Sequence, residues 1–498
     1  MKKILFTALT LSLFLSSCTK DFLEIPSETS LSTATFYKTE ADFKQAINGA
    51  YAPLRDLYNG ASGGFTGAWI MGEMRSDNTR YMFNPSYRGT LDPELISDFN
   101  NQSSNGVSTF KYVTDYQIIA RANQVLAPID GVDFAQASKD NIKGQAFFLR
   151  ALAYFDLVQY FGKVPMHLIP VTTREEAALP LSEVDAIYAQ IIADASQAAT
   201  LLPAKSVQEA GRATSGAAKT LLGNVYVVKK DWAAAATVLK EVIDSGEYGL
   251  LGDYASVFSV NNKNNSESVF EVQFKEGTDG FASGFIYQML PVPMTAPEVA
   301  VITGAANTQQ LGAEAFNVPT KDLVAAYENG DLRKAVSIGT ATLSLDGNKT
   351  YPYIKKLLQP HAQAGITGTN WPVYRYAEVL LLYAEALNEN GSATAVTYLN
   401  QIRSRAGLLP TLAIGQANVR AAILAERRVE LAFENKRWLD LVRTGNAPTV
   451  MAAFGAYLKA HPQEYYFPVG YGPAASSYTT IDLLFPLPAS ESLLSPNF

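Results

Sequence analysis

Glu426, Glu430 and Glu434 recur at four-residue spacing, which places their carboxyls on one face of a helix. A glycosidase works with two carboxyls that flank one bond, about 5–5.5 or 6.5–9.5 Å apart. Here Arg427, Arg428, Arg437 and Arg443 are interleaved with these acids and with Asp440, so ion pairing that holds helices in register is expected instead. Gly60-Ala61-Ser62-Gly63-Gly64 fits G-x-S-x-G, but a nucleophile elbow needs a strand before it and a helix after it. A helix-like segment precedes this one, and its setting is Gly/Ser loop. His167, His361 and His461 are not paired at metal-ligand spacing, and no H-E-x-x-H occurs. The expectation is a chain with no catalytic residues, no metal and no cofactor.

Two other stretches mix aromatic rings with hydroxyl-binding groups. The first holds Trp69, Arg75, Asp77, Asn78, Arg80, Tyr81, Phe83 and Tyr87. The second holds Phe281, Phe285, Tyr287, Asn307 and Gln309. A pyranose offers apolar C–H faces, which rings cover, and a rim of hydroxyls, which Asn, Asp and Arg bind. Polar sites matched to substrate hydroxyls give strong selectivity. The candidate ligand-binding residues are Trp69, Arg75, Asp77, Asn78, Tyr81, Phe83, Tyr87, Phe281 and Tyr287. Each also has a plainer reading: a ring packs in a core, and Asp77-Asn78 caps a turn. Tyr465-Tyr466-Phe467 is the alternative location.

The only cysteine, Cys18, carries different chemistry. Lys2 and Lys3 open the chain, Ile4 to Leu15 is a short apolar run, and Leu15-Ser16-Ser17 leads into the cysteine. A charged start, about 7–15 apolar residues and small residues at a cleavage site describe a secretory signal. A thiol directly after that site is a point for lipidation, and two or more chains give stable anchoring. An ordinary signal with an incidental cysteine is the alternative.

These groups must be positioned by a large core. The chain has 498 residues, 48% hydrophobic and 17% charged, which is a folding composition. Its net charge of −7 argues against a nucleic-acid partner. Helical spacing runs through Ala41–Leu57, Thr109–Ile129, Lys139–Phe161 and Glu183–Leu202. Arg75–Gly106 is aperiodic and reads as a long surface loop. Ala217–Ser245 and Arg375–Gly407 each read as helix, short polar turn and helix, with small residues where helices would touch. Both resemble the tetratricopeptide hairpin; an ordinary αα-hairpin fits the same residues. Gly246–Trp371 is Gly/Pro-rich, with β-like pieces at Ser268–Phe274 and Phe285–Leu290.

An ordered set of motifs then resembles the SusD/RagB lipoproteins. It starts at Asp21-Phe22-Leu23-Glu24 and continues through Gly144 to Ala151, Phe161-Gly162-Lys163-Val164-Pro165 and Gly211-Arg212-Ala213-Thr214. Arg375-Tyr376-Ala377-Glu378, Arg405-Ala406-Gly407 and Glu426 to Arg443 complete it. The resemblance implies a mostly α protein, a tetratricopeptide-like helical scaffold with a loop-rich C-terminal part. Residues 1–17 would be signal peptide, 18–35 lipidated tether, and 36–250 N-terminal helices. Residues 251–371 would form a loop-rich lobe, and 372–498 the C-terminal helices and tail. Trp371 and Trp438 adjoin the motifs and read as core. The resemblance also implies a lipoprotein on the outer face of the outer membrane that binds oligosaccharides or, in some members, peptides. Its partner would be a SusC-like TonB-dependent transporter. The family's ligand aromatics lie in loops of broadly the two regions named above. Against this stand a surface glycosidase and a helical protein-binding scaffold.

Overall fold

Apolar positions at 3–4-residue spacing build a row of helices, each packed on the next. In the computed structural model the described residues are 36–59, 67, 69–86, 88, 90–312 and 316–494. Cys18, the leader, the tether, the Gly60–Gly64 motif and Tyr87 lie outside them. The row comprises α1 (Glu40–Asn59), α2 (Gly106–Leu126), α3 (Gln136–Phe161), α4 (Val184–Leu201), α5 (Ser215–Val228) and α6 (Trp232–Asp244). Local chemistry sets the ends. Asn105 Oδ1 accepts from the backbone N–H of Val107 and Ser108 and caps α2. Thr214 does the same for α5 through Ala217 N at 3.0 Å. Gly223 is required by packing, since a Cβ there would lie 2.5 Å from Leu239 of α6.

The row continues after a long excursion. α8 (Tyr376–Glu389) packs against α6, and α9 (Ala395–Arg405) and α10 (Gln416–Glu430) pack against α8. The α5–α6 and α8–α9 hairpins, distant in sequence, are therefore neighbours in space. α8 is the centre of this arrangement, with Tyr376 to Ala386 buried throughout. The expectation of a mostly α superhelix is met.

Strands are few and short. β1 (Thr79–Arg80) pairs with β3 (Val318–Pro319), β2 (Ser268–Val272) with β6 (Trp371–Arg375), and β4 (Ile338–Leu343) with β5 (Lys349–Ile354), all antiparallel. α7 (Ala296–Thr303) lies between β2 and β3 in the chain, and α11 (Arg437–Arg443) and α12 (Ala447–Ala460) follow α10. Two local expectations are corrected. Phe285–Leu290 is not a strand: Phe285–Met289 forms a 3-10 turn whose Phe285 is fully buried. Arg75–Gly106 is not a surface loop throughout: Arg75–Met82 is buried, and Asp92–Ser97 is helical. The backbone polar groups of this stretch are satisfied from far away, as when Thr320 N donates to Asn78 O at 2.9 Å.

Candidate functional site

The interleaved acids and arginines form a buried ionic network. Arg375 donates to Glu267 at 2.6 Å, to Glu430 at 3.0 Å and to Glu434 at 2.8 Å. Arg405 and Arg333 reach the same Glu430 at 2.6 and 3.0 Å. Burial alone would raise the Glu430 carboxyl, but Arg405, Arg375 and Arg333 hold it well below the usual carboxylate range. Arg427 and Arg443 likewise outweigh burial at Asp440 and bring it down to about 2. Arg443 also grips Glu385 at 2.6 Å. Both Glu430 oxygens are thus engaged by guanidinium groups, and the carboxyl has no access to solvent.

Five sequence candidates belong to this interior. Trp69, Arg75, Asp77, Asn78 and Tyr81 are all buried. Asp77 pairs with Arg437 at 2.8 Å and Arg428 at 2.8 Å, and Asn78 Oδ1 accepts from Arg428 at 2.8 Å. These two residues tie the β1 segment to α10 and α11. Tyr81 donates its hydroxyl to Asp98 at 2.8 Å. Buried rings offer no face to a sugar, so the stacking role expected of Trp69 and Tyr81 does not fit their positions. Tyr287 is half-buried, with its hydroxyl 2.6 Å from His361 Nε2.

Exposed rings are scarce enough to locate surface sites. Among the described residues only Phe281, Tyr457 and Tyr471 combine an aromatic ring with high exposure. Tyr457 already has ring partners, with Lys321 Nζ 3.9 Å above its ring and the tilted His461 ring at 4.4 Å. Tyr471 is 46% exposed and lies 5.3 Å from the ring of Phe83. Phe83 rests in turn on Phe467 at 5.2 Å, and Arg88 lies 4.6 Å from its ring. Beneath this surface Arg80 is wedged between the rings of Tyr81 and Phe467, 4.6 Å from each. Asn84 Nδ2 donates to Gly312 O at 3.1 Å. The β1–β3 pairing thus brings the first candidate loop against the segment that follows the second, and the tail containing Phe467 and Tyr471 packs on the first.

The result is a tilted aromatic pair, Phe83 and Tyr471, with Asn84 beside it and the guanidinium of Arg88, paired to Glu94, over the Phe83 ring. It joins one candidate from the first loop to the tail that follows the alternative run Tyr465-Tyr466-Phe467. Tyr471 was missed in the sequence because its segment is Gly/Pro-rich and its partner ring is remote in the chain. Phe281 is not part of this pair: its ring neighbour is Arg55 of α1, at 4.9 Å. Among the described residues no group of His, Cys, Asp or Glu is arranged to hold a metal ion.

A family model described as the SusD family matches residues 321–498, and one described as starch-binding associating with outer membrane matches residues 21–227. SusD-like protein P25 of Formosa agariphila is 30% identical over 481 residues, which is 89% of each chain. A SusD-like protein of Bacteroides ovatus is 25% identical, covering 89% of this chain and 82% of the relative. Among solved structures, a SusD-like carbohydrate binding protein from Bacteroides fragilis superposes with a TM-score of 0.78 at 24% identity, over 93% of this chain and 99% of that one. The surface glycan-binding protein A from Bacteroides thetaiotaomicron, in complex with laminarihexaose, gives 0.72 at 21% identity, over 91% and 97%. At those identities the structural likeness speaks for the fold. The full-length sequence relatives and the two family models carry the assignment further: the chain belongs to the SusD/RagB family.

Proposed function

We propose that this chain is a cell-surface glycan-binding lipoprotein, without catalytic activity, that captures oligosaccharides and delivers them to a SusC-like TonB-dependent transporter in the outer membrane. The observation that carries the binding reading is the Phe83–Tyr471 pair, an exposed ring beside a half-buried one, with the Arg88–Glu94 ion pair next to it. Rings stack on the apolar face of a pyranose, and the Arg88–Glu94 pair beside them offers both a donor and an acceptor to hydroxyls. Membership of a family that contains starch- and laminarin-binding proteins supports the ligand class. The engagement of Glu426, Glu430 and Glu434 by arginines and Lys356 speaks against a glycosidase pair there.

The family and the leader support the reading of delivery and location. Cys18 would carry the lipid, and no helix among the described residues is long and apolar enough to cross a membrane. The test is a panel of neutral oligosaccharides and casein-derived peptides offered to the purified protein, with reducing ends assayed in parallel. Saccharide binding without new reducing ends is expected. Release of reducing ends would favour the glycosidase, and peptide binding a peptide-importing member. Recovery of a transporter barrel with the detergent-solubilised protein tests the partner.

A further inference from the structure

Where α2 meets α3, a lysine sits out of reach of solvent. The Lys111 side chain is fully buried, and that of Asp115, one turn further along α2, is 1% exposed. Lys111 Nζ donates to Asp156 Oδ2 of α3 and lies 3.5 Å from Asp115 Oδ2. The ring of Tyr160 lies 4.8 Å from the same nitrogen. Lys356, equally buried, spreads its protons over the carbonyls of Glu430 and Ala432 as well as Glu434. Among the described residues Lys111 donates to no backbone carbonyl, and its polar partners are the two carboxyls.

Two acids against one amine leave a carboxyl in excess. Neither Asp115 oxygen has a hydrogen-bond partner among the described residues. Burial, with Asp156 beside it, pushes the Asp115 carboxyl well above the usual carboxylate range in spite of Lys111, so it keeps its proton. Tyr58 of α1, Tyr160 of α3 and Tyr374 of β6 face the cluster, and burial holds their hydroxyls protonated. An amine, a carboxylate and a protonated acid thus share a site walled by aromatic rings.

We propose that Lys111 and Asp156 condense into an intramolecular isopeptide bond that joins α2 to α3, with Asp115 moving the protons. Within the pair, Lys111 hands one proton to Asp156, which gives an amine and a carboxylic acid. Nζ attacks Asp156 Cγ, the Nζ–Cγ bond forms, the Cγ–Oδ2 bond breaks, and Oδ2 departs as water. Asp115 takes the second proton from nitrogen, gives its own to the departing oxygen and ends unchanged. Two of the three ammonium protons leave with the water and one stays on the amide nitrogen. Burial works against the Lys111 ammonium, but Asp115 and Asp156 outweigh it. The free amine is therefore a minor form, which is why a proton-moving group beside it matters.

The surroundings favour the product. An ion pair held away from water is costly, and condensation replaces its two charges by one neutral amide. The protonated Asp115 then has the new amide oxygen as an acceptor. Asp156 also lines a polar hollow of about 50 Å³ that reaches Gln159 and Asn224, enough to take up the released water. The link spans 45 residues of sequence, so it restricts the unfolded chain and braces the first helices of the row.

Tryptic mass mapping of the purified wild-type chain tests the bond. The intact chain should be lighter by one water, and cleavage after Lys111 should be blocked. The digest should then hold one branched peptide joining residues 89–121 to residues 151–163. Fragmentation of that peptide should place the link between Lys111 and Asp156. Lys111→Arg keeps the charge and cannot condense, so its chain should show the full mass and separate peptides. Asp115→Asn keeps the shape and removes the acid. General acid–base groups contribute about 10²–10⁴-fold, so in samples taken at intervals after a pulse of synthesis this variant should link at least about a hundredfold more slowly. A wild-type digest with a free peptide ending at Lys111 and no branched peptide overturns the inference and leaves a plain ion pair, whether or not the variants fold. Water loss mapped to any other residues overturns the assignment. Linking of Asp115→Asn at the wild-type rate overturns the part given to Asp115.

Discussion

Arg75 donates from Nη2 to the backbone carbonyl of Asp482 at 2.7 Å, across 407 residues of chain. Its guanidinium sits 4.3 Å from the ring centroids of both Phe99 and Phe485. Nη1 reaches Asn101 Oδ1 at 2.5 Å. Burial lowers its pKa to about 9, so it stays charged at neutral pH. Phe485 N donates to Tyr160 O at 2.8 Å beside it. Arg75 is a clamp that fastens the C-terminal tail to the helical row, and the same tail carries Tyr471 to Phe83.

Arg75→Ala should therefore loosen the tail. Lost charge-assisted hydrogen bonds are worth roughly 1.5–3 kcal/mol each, so a destabilisation of about 2–4 kcal/mol is expected. Hydrogen exchange would show faster exchange across 479–491 first. A variant whose tail exchanges at the wild-type rate would refute the clamp.

Glu430 is the hub of a structural network. Removing one partner of a buried ion pair costs about 3–5 kcal/mol. Glu430→Ala should lower the melting temperature by the same amount with and without a saturating oligosaccharide. A fully stable Glu430→Ala protein that no longer bound ligand would show that this carboxyl serves a site.

The pH dependence should have two limbs. Burial raises Glu73 from 4.5 to about 8, with its Oε1 accepting from Phe433 N at 2.7 Å. A raised acid binds its proton more tightly folded than unfolded, so its contribution is present below pH 4.5 and lost as pH rises through about 8. Asp440 runs the other way: its contribution is present above 3.8 and lost as pH falls through about 2. Glu73→Gln keeps an acceptor for Phe433 and removes the ionisation. It should exceed wild type in stability at pH 8 by a few kcal/mol, since each tenfold change in proton affinity on folding is worth about 1.4 kcal/mol, with the gap closing towards pH 4. Urea midpoints at pH 5 and pH 8 measure this. An identical alkaline slope in both proteins would rule out Glu73 as its source.

Cys18→Ala should release a folded protein from the membrane fraction, since the lipid is the proposed tether. Retention of that variant in the membrane at the wild-type level would contradict lipid anchoring.

The helical row was legible because its signals are local. Helix caps, the 3–4-residue apolar spacing and the small residues facing one another all lie within a few turns. The ion pairing around Glu430 was legible too, because alternating acids and arginines in an apolar run have few other uses. The site was not. Burial of Arg75–Met82 depends on partners such as Arg428, Arg437 and Asp482, which no local window contains. A stretch rich in Arg, Asp and Asn looks like a wet loop until those partners are placed around it. Phe83 and Phe281 were both singled out, but only the fold separates them, one beside Tyr471 and the other beside Arg55.

The central claim is that a saccharide stacks on Phe83 and Tyr471. Aromatic contacts of this kind contribute about 0.5–1.5 kcal/mol beyond area burial, so each single Ala variant should bind roughly tenfold more weakly or less. Calorimetric titration of a neutral hexasaccharide that binds wild type, laminarihexaose or maltohexaose, into Phe83→Ala/Tyr471→Ala is the direct measurement. Binding should fall below detection while the melting temperature moves by no more than a few degrees, since Tyr471 is exposed and Phe83 half-buried. A well-folded double variant with wild-type affinity would contradict the claim and place the ligand elsewhere.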